Sequence, residues 1–375
     1  MKKFLPYIIV ALAVTGCIYP YDADVSKEIN RIVIEGDILI GDTTDINISR
    51  VLSLNATNTS YGVVGEVWVE DDAGGRYNTF ARVGNDFKIN TCDASDALKY
   101  RLALNIMDPD TQVYNQYYSE WQAVRPAPTI DDLTFEAYED YLYIYASMSS
   151  QDTSACYRWD YEENWKFHTK YRATIMWDPE NEVYIEINGD PENYWCWDSY
   201  LSKESGLAIA ESLKDGKLVK HFVRAISTND VRIQTYYAFT MKLRSISKDC
   251  YTYLYNLQQN SNFSGSLFQT IPSDVPGNIY AESDGVEQPV GYIEATKVRM
   301  DRLFIGEGYY YAKQYTGDVF DATGRNPRSL YYNGYLPYNG DNLTNVYYWA
   351  PARCLDCIKA GGTKDIPEWW PEDQR

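Results

Sequence analysis

Residues 157–177 read Tyr157-Arg158-Trp159-Asp160-Tyr161-Glu162-Glu163-Asn164-Trp165-Lys166-Phe167-His168-Thr169-Lys170-Tyr171-Arg172-Ala173-Thr174-Ile175-Met176-Trp177. Tyr157, Trp159, Tyr161, Trp165, Phe167, Tyr171, Ala173, Ile175 and Trp177 hold odd positions, with Glu163 and Thr169 among them. Arg158, Asp160, Glu162, Asn164, Lys166, His168, Lys170 and Arg172 hold even ones. A period of two is the period of a strand, and a 3.6 repeat cannot produce it. The stretch therefore predicts a long strand or hairpin with an aromatic core face and a charged face in water.

The same reading extends in both directions. Ile32-Val33-Ile34, Ile38-Leu39-Ile40 and Ile46-Asn47-Ile48 are short β-like runs separated by Gly36, Gly41 and Asp42, which suggests hairpins. Val63 to Val69 ends in the turn Asp71-Asp72-Ala73-Gly74-Gly75, and Tyr100, Leu102, Leu104 and Ile106 alternate. Strands at this spacing predict an N-terminal β-sandwich over residues 29–125. Pro126 and Pro128 fix φ and remove two donors, so we place a boundary there. Residues 129–350 form a larger β-rich second domain with one or two short helices. One helix is marked by a Ser247 cap, Asp249 in the first turn and a shared Tyr251, Leu254 and Tyr255 face, ending at Asn260 to Gly265. Residues 351–375 read as a tail carrying a cysteine pair and pinned by aromatics. The fold class is mainly β.

The N-terminus speaks to compartment. Lys2 and Lys3 precede an apolar run from Phe4 to Val14 that is too short to span a bilayer. Val14-Thr15-Gly16-Cys17 resembles a bacterial lipobox, so residues 1–16 read as a lipoprotein signal peptide and Cys17 as the acylated anchor. More than one acyl chain gives stable attachment, since each buried methylene contributes about 0.8 kcal/mol. Residues 17–28 form an acidic tether that resembles surface-export signals, so the body is expected at the outer membrane, exposed to the cell surface, with the periplasmic face as the alternative. Cys92, Cys156, Cys196, Cys250, Cys354 and Cys357 are the disulfide candidates of an exported chain. Cys354 and Cys357 are close enough to pair locally, although six cysteines allow 15 connectivities.

Charge and motifs narrow the chemistry. Thirty-four Lys and Arg against 53 Asp and Glu give a net charge of −19, which leaves no footprint for nucleic acid. Only His168 and His221 could serve as triad bases, and the chain lacks G-x-S-x-G, both Gly-rich phosphate loops and H-E-x-x-H. One C-x-x-C is half of a structural zinc site, and Asp71-Asp72 and Asn339-Gly340-Asp341-Asn342 lack the EF-hand spacing. No metal or cofactor is expected. Paired carboxylates, among Glu162, Glu163, Asp178, Glu182 and Glu186, leave a carboxylate-based hydrolase as one alternative.

Aromatics are the stronger signal: 36 Tyr and 10 Trp, with five of the Trp between Trp159 and Trp197. Tyr and Trp supply rigid contact area with a polar tip. The odd face of the Tyr157 strand belongs in a core. Trp195, Trp197, Tyr309, Tyr310, Tyr311, Tyr331 and Tyr332 are the candidate binding rings, and a stand-alone surface binder of glycan or peptide is the other alternative.

Together these residues resemble a known family. The lipobox at Cys17, Ile32-Val33-Ile34-Glu35-Gly36, Val64-Gly65-Glu66-Val67 before Glu70-Asp71-Asp72, Ile271-Pro272, Pro276-Gly277-Asn278-Ile279 and Val290-Gly291-Tyr292-Ile293 follow one order. Cys354-Leu355-Asp356-Cys357, Gly361-Gly362-Thr363 and Pro367-Glu368-Trp369-Trp370 close it. The order resembles the bacterial outer-membrane lipoproteins of domain-of-unknown-function family 4249, with Gly65-Glu66 departing from the usual Gly-Ala. The resemblance implies an immunoglobulin- or transthyretin-like first domain and no assigned catalytic residue. It further implies a non-enzymatic accessory or binding component beside a TonB-dependent transporter or related outer-membrane β-barrel.

Overall fold

The computed structural model describes residues 31–51, 62–109, 111–151, 156–210, 216–262, 276–311, 317–341 and 343–375. The expected signal peptide, Cys17, the tether and Ile271-Pro272 lie outside them.

Alternating isoleucines build the first strands. In β1 (Ile32–Gly36), Ile32 and Ile34 are buried between less buried neighbours. β2 (Ile38–Leu39) follows, and β3 (Thr43–Arg50) repeats the alternation at Ile46 and Ile48. The expected hairpin between the first two runs does not form. β1 pairs instead with β3, Ile34 opposite Ile48, and β2 is looped out between them. Close approach at Gly36 permits this, because a Cβ there would lie 2.4 Å from the Asp45 carbonyl oxygen.

β4 (Gly65–Asp71), β5 (Arg76–Val83), β6 (Asp86–Asn90), β7 (Lys99–Met107), β8 (Tyr114–Ser119) and β9 (Gln122–Ala123) complete the first pass. The sheet order is β1-β3-β6-β5-β4-β7-β8, with β9 also on β7. β5 serves both halves: its start pairs with β4, its end with β6, and a bulge lies between Thr79 and Ala81. A bulge there lets the sheet bend over itself, and one core collects Ile34, Ile46 and Phe87 from one half with Val67, Tyr100 and Leu104 from the other.

The second body is also two layers. β10 (Thr129–Tyr138) and β11 (Tyr141–Ser149) form a hairpin. β12 (Cys156–His168) then crosses the opposite layer, β13 (Ile175–Asp178) and β14 (Val183–Glu186) make a peripheral hairpin, and β15 (Trp195–Leu201) and β16 (Gly206–Ile209) both pair with β12. β17 (Leu218–Ser227) returns to β11, and β18 (Tyr236–Ile246) lies along β12. The layers enclose a core of Leu142, Ile144 and Met148 against Tyr157, Trp159, Trp165, Tyr237 and Phe239. The odd face of β12 is therefore core. The repeat does not make one long strand, however. At Thr169 the hydroxyl donates to the Tyr171 carbonyl, 2.7 Å, and Tyr171 N–H goes to Cys354 O, 3.0 Å, so the chain turns out of the sheet.

α1 (Lys248–Asn262) begins where Ser247 Oγ accepts the Cys250 N–H, 3.0 Å. Its buried residues include Cys250 and Tyr253, whereas Tyr255 is exposed and stacks on Tyr251. The chain then goes back to the first body. β19 (Ile279–Ala281) extends that sheet beyond β8 and β20 (Ala295–Thr296) pairs in parallel with β2, so residues 276–296 belong with the N-terminal strands and not with the body around them in sequence. β21 (Val298–Ile305) edges the β18 sheet, β22 (Phe320–Asp321) follows, α2 (Pro327–Tyr332) is capped by Asn326, and β23 (Tyr335–Asp341) with β24 (Val346–Pro351) completes a peripheral sheet.

The even face of β12 is only partly in water. Asp37, between β1 and β2, accepts hydrogen bonds from Arg158, 3.1 Å, and from Arg244 on β18, 2.6 Å, and Arg244 also pairs with Asp160. Lys166 donates to the carbonyls of Gln374, 3.0 Å, and Arg375, 3.2 Å. Charges that alternation assigns to solvent are used to seat the first body and the C-terminal tail. Glu294 adds a second tie, accepting from Arg125, 3.3 Å, and from the Ser247 N–H, 3.1 Å.

The cysteines also differ from expectation. Cys357 bonds to Cys196, 161 residues away, and not to Cys354. The Cys357 N–H donates to Asn193 O, 2.9 Å, which brings it against β15, while Cys354 turns into a separate cluster with Ala173 and Leu355. Cys92 is exposed and Cys250 buried, both as thiols, and Cys156 is buried in the cluster that holds Cys250. Among the described residues this is one disulfide, where six candidates suggested more.

Candidate functional site

The layer β10-β11-β17 has two apolar faces. Leu142, Ile144, Ala146 and Met148 of β11 point inward and are fully buried. Tyr141, Tyr143 and Tyr145 therefore point outward. Register extends the outer face sideways: Tyr138 stands opposite Tyr141, Glu136 opposite Tyr143, and Phe222 opposite Tyr145. A bulge between Ile144 and Tyr145 accommodates an extra β17 residue, so that Phe222 faces out while Arg224 faces the core.

These rings form a continuous strip. Centroids are 6.0 Å apart for Tyr141 and Tyr143, and 6.4 Å for Phe222 with each of Tyr143 and Tyr145, and the planes are tilted by 46° to 70°. Tyr138 is 64% exposed, Phe222 51% and Tyr141 45%. Lys220 reaches across the strip to Glu136, 2.6 Å, with its ammonium 5.1 Å from the Tyr145 ring centre. The hydrogen bond to Glu136 raises the Lys220 pKa. A strip of large rings, three of them exposed and two half-buried, that no described element covers is the kind of surface that marks an interaction site.

The candidate rings from the sequence do not converge on one place. Trp197 is buried against Trp370 and Ala238 beneath the tail. Trp195 is half-buried, donates to Asp190 at 3.1 Å and lies edge-on to His168. Tyr309 and Tyr310 pack on the second-body core, Tyr309 edge-on to Phe135, while Tyr311 beside them is 67% exposed. Tyr331 packs in the peripheral cluster with Trp349, and Tyr332 is 68% exposed at the end of α2. The strip that the structure does assemble uses none of these residues. Its signal in the sequence was a strand apolar on both faces, Tyr141-Leu142-Tyr143-Ile144-Tyr145-Ala146, where one face must be presented outward.

The carboxylates are dispersed. Glu163 is fully buried, and its oxygens accept from Tyr237, 2.8 Å, Arg224, 3.2 Å, and Arg232, 2.7 Å. Burial and the Glu163 carboxylate push the Tyr237 hydroxyl well above its ordinary range. For Arg224, burial pulls the pKa down, and Glu163 together with Tyr161 and Tyr237 more than offsets it. Held by three donors and fully buried, this carboxylate binds the core together and is closed to a substrate. Glu162 points to the other face of β12 with Lys242 4.0 Å away, and Asp178, Glu182 and Glu186 lie on the β13–β14 hairpin and its turn. Asp71 is spent in its own turn, accepting from Ala73, Gly75 and Tyr77, and Asp341 accepts from Leu343 and Thr344, with Asn342 outside the described residues. Among the described residues no group of three His, Cys, Asp or Glu is placed to hold a metal.

The family described as Domain of unknown function (DUF4249) matches residues 18–302. No curated protein matches the chain. Among solved structures, chitinase ChiA74 from Bacillus thuringiensis is similar at 12% identity over 52% of this chain and 27% of that one, with a TM-score of 0.14. The chain thus spans about a quarter of that enzyme's length, and a likeness at this level carries no argument about fold or activity.

Proposed function

The chain belongs to the DUF4249 family, and from that premise we propose that it is a lipid-anchored outer-membrane protein, held by Cys17, that works as a non-enzymatic binding component beside a TonB-dependent β-barrel transporter. The ring strip on β10-β11-β17 carries this reading, because no described element covers it and it is built on a rigid sheet while the carboxylates are scattered or buried. A sheet backed by a fully packed core holds its outer side chains in register, which suits capture of a ligand. Cytoplasmic catalysis would need none of this arrangement, whereas a tethered receptor needs a contact surface and an anchor.

Two measurements test the proposal. Metabolic labelling with palmitate is expected to mark the protein and to fail for Cys17→Ser, with the variant released from the membrane fraction. Co-purification from mildly solubilised membranes is expected to recover a β-barrel partner. Unlabelled protein, or recovery as a lone species, would overturn the corresponding half of the proposal.

A further inference from the structure

We propose that the ligand of the strip formed by Tyr138, Tyr141, Tyr143, Tyr145 and Phe222 is a neutral oligosaccharide chain. This rests on the strip being the binding face proposed above, and adds the chemical class of what it binds. Four observations select the class. First, the exposed apolar surface of the strip is almost entirely ring, and ring faces carry partial negative charge that attracts the C–H faces of pyranoses. Second, none of the four tyrosine hydroxyls has a hydrogen-bond partner among the described residues, so each is available as donor and acceptor to sugar hydroxyls. Third, Tyr141 to Tyr145 spans about 13 Å along β11, and the 46° to 70° tilts wind the rings with the sheet. A single chain that twists can follow such a surface, whereas a flat crystalline one cannot.

Fourth, charge disfavours anionic occupants. Lys220 and Glu136 neutralise each other at the centre of the strip. A net charge of −19 repels an anionic glycan, an anionic lipid surface or a second copy of this chain. Rings are also enriched at protein interfaces, so a protein partner is the competing occupant, and it would leave the protein unretarded in every polysaccharide gel.

The test is affinity electrophoresis of the full-length protein in detergent micelles through gels containing a neutral β-1,4-glucan, an α-1,4-glucan, a galactomannan or anionic polygalacturonate. Retardation by at least one neutral polymer and none by polygalacturonate is expected. Tyr143→Ala and Phe222→Ala should each weaken retention about tenfold, equivalent to ~1.4 kcal/mol, while Tyr255→Ala on α1 should leave it unchanged. Because all three rings are surface groups, melting temperatures should match the parent's, and Tyr143→Phe, which keeps the ring, should retain most of the affinity. Absence of retardation by every neutral polymer, retardation by polygalacturonate alone, equal retention by the ring variants, or a face-to-face dimer in sedimentation would overturn the inference. If a barrel still co-purifies in those cases, the ligand class fails and the accessory role stands. If barrel and polysaccharide are both lost, the accessory role fails with it.

Discussion

Replacing Asp37 by Ala removes the carboxylate that joins the two bodies. Its side chain is fully buried, and it accepts from Arg158 at 3.1 Å and Arg244 at 2.6 Å, whose side chains are 17% and 10% exposed. Burial lowers the Arg244 pKa and Asp37 opposes that fall, so the carboxylate is what makes a buried guanidinium tolerable. Deleting one partner of a buried pair costs about 3–5 kcal/mol, because the other charge is left unpaired. Asp160 still contacts Arg244, so we take the lower end, ~3 kcal/mol. At about 2.1 cal/mol/K per residue over 375 residues, the unfolding entropy is roughly 0.8 kcal/mol/K and the melting temperature should fall by about 4 °C. Urea unfolding followed by tryptophan fluorescence and by far-ultraviolet circular dichroism is the assay. Asp45→Ala, which removes an exposed pair with Lys88, is the control and should cost less than about 1 kcal/mol. A loss at Asp37 no larger than that control would refute the reasoning that this contact holds the bodies together.

Asn278→Ala should cost about 2–4 kcal/mol, since the buried amide both donates to Ile293 O and accepts from Ile293 N–H at 2.8 Å, leaving two orphaned backbone groups; chemical denaturation reads it, and a neutral result would show that water replaces the amide. The Cys196→Ser, Cys357→Ser double variant should lose about 3–5 kcal/mol, because the bond closes a 161-residue loop. Non-reducing peptide mapping should recover a 196–357 crosslink, and a 354–357 crosslink would contradict the fold. His221, against Trp159, has its pKa lowered by burial, so the unfolded chain takes up the proton first. Stability should therefore decline as pH falls through about 6.5 and level off below the folded-state pKa, and His221→Phe should flatten that slope in melting measured from pH 8 to pH 5.

Much of the β architecture is legible in the chain because alternation is a local property. Odd positions of 157–167 had to face a core whatever that core contained, and Ser247 had to start a helix because its hydroxyl reaches an N–H three residues on. The spacing of Gly277 and Gly291 also gains a reason: a Cβ on Gly277 would lie 1.7 Å from the Gly291 carbonyl oxygen, and a Cβ on Gly291 would lie 2.5 Å from Ile34 O. Two backbones cross there, as the segment from 276 to 296 lies down on β1.

What alternation cannot say is what stands opposite. It divides a strand into two faces, and a charged face has lower energy either in water or against opposite charge. Arg158 took the second course because Asp37, over a hundred residues earlier, arrives beside it, and Asp160 because Arg244 on β18 reaches it. The same limit applies to Cys357, whose partner was chosen by where β15 lies, and to Tyr141, Tyr143 and Tyr145, which became a surface because Leu142, Ile144 and Ala146 won the interior. Periodicity of the chain determined strands, helix start and the aromatic wealth. The pairing of distant faces, which depends on loop closure and on burial summed over the whole molecule, decided which rings are core and which remain to meet a ligand.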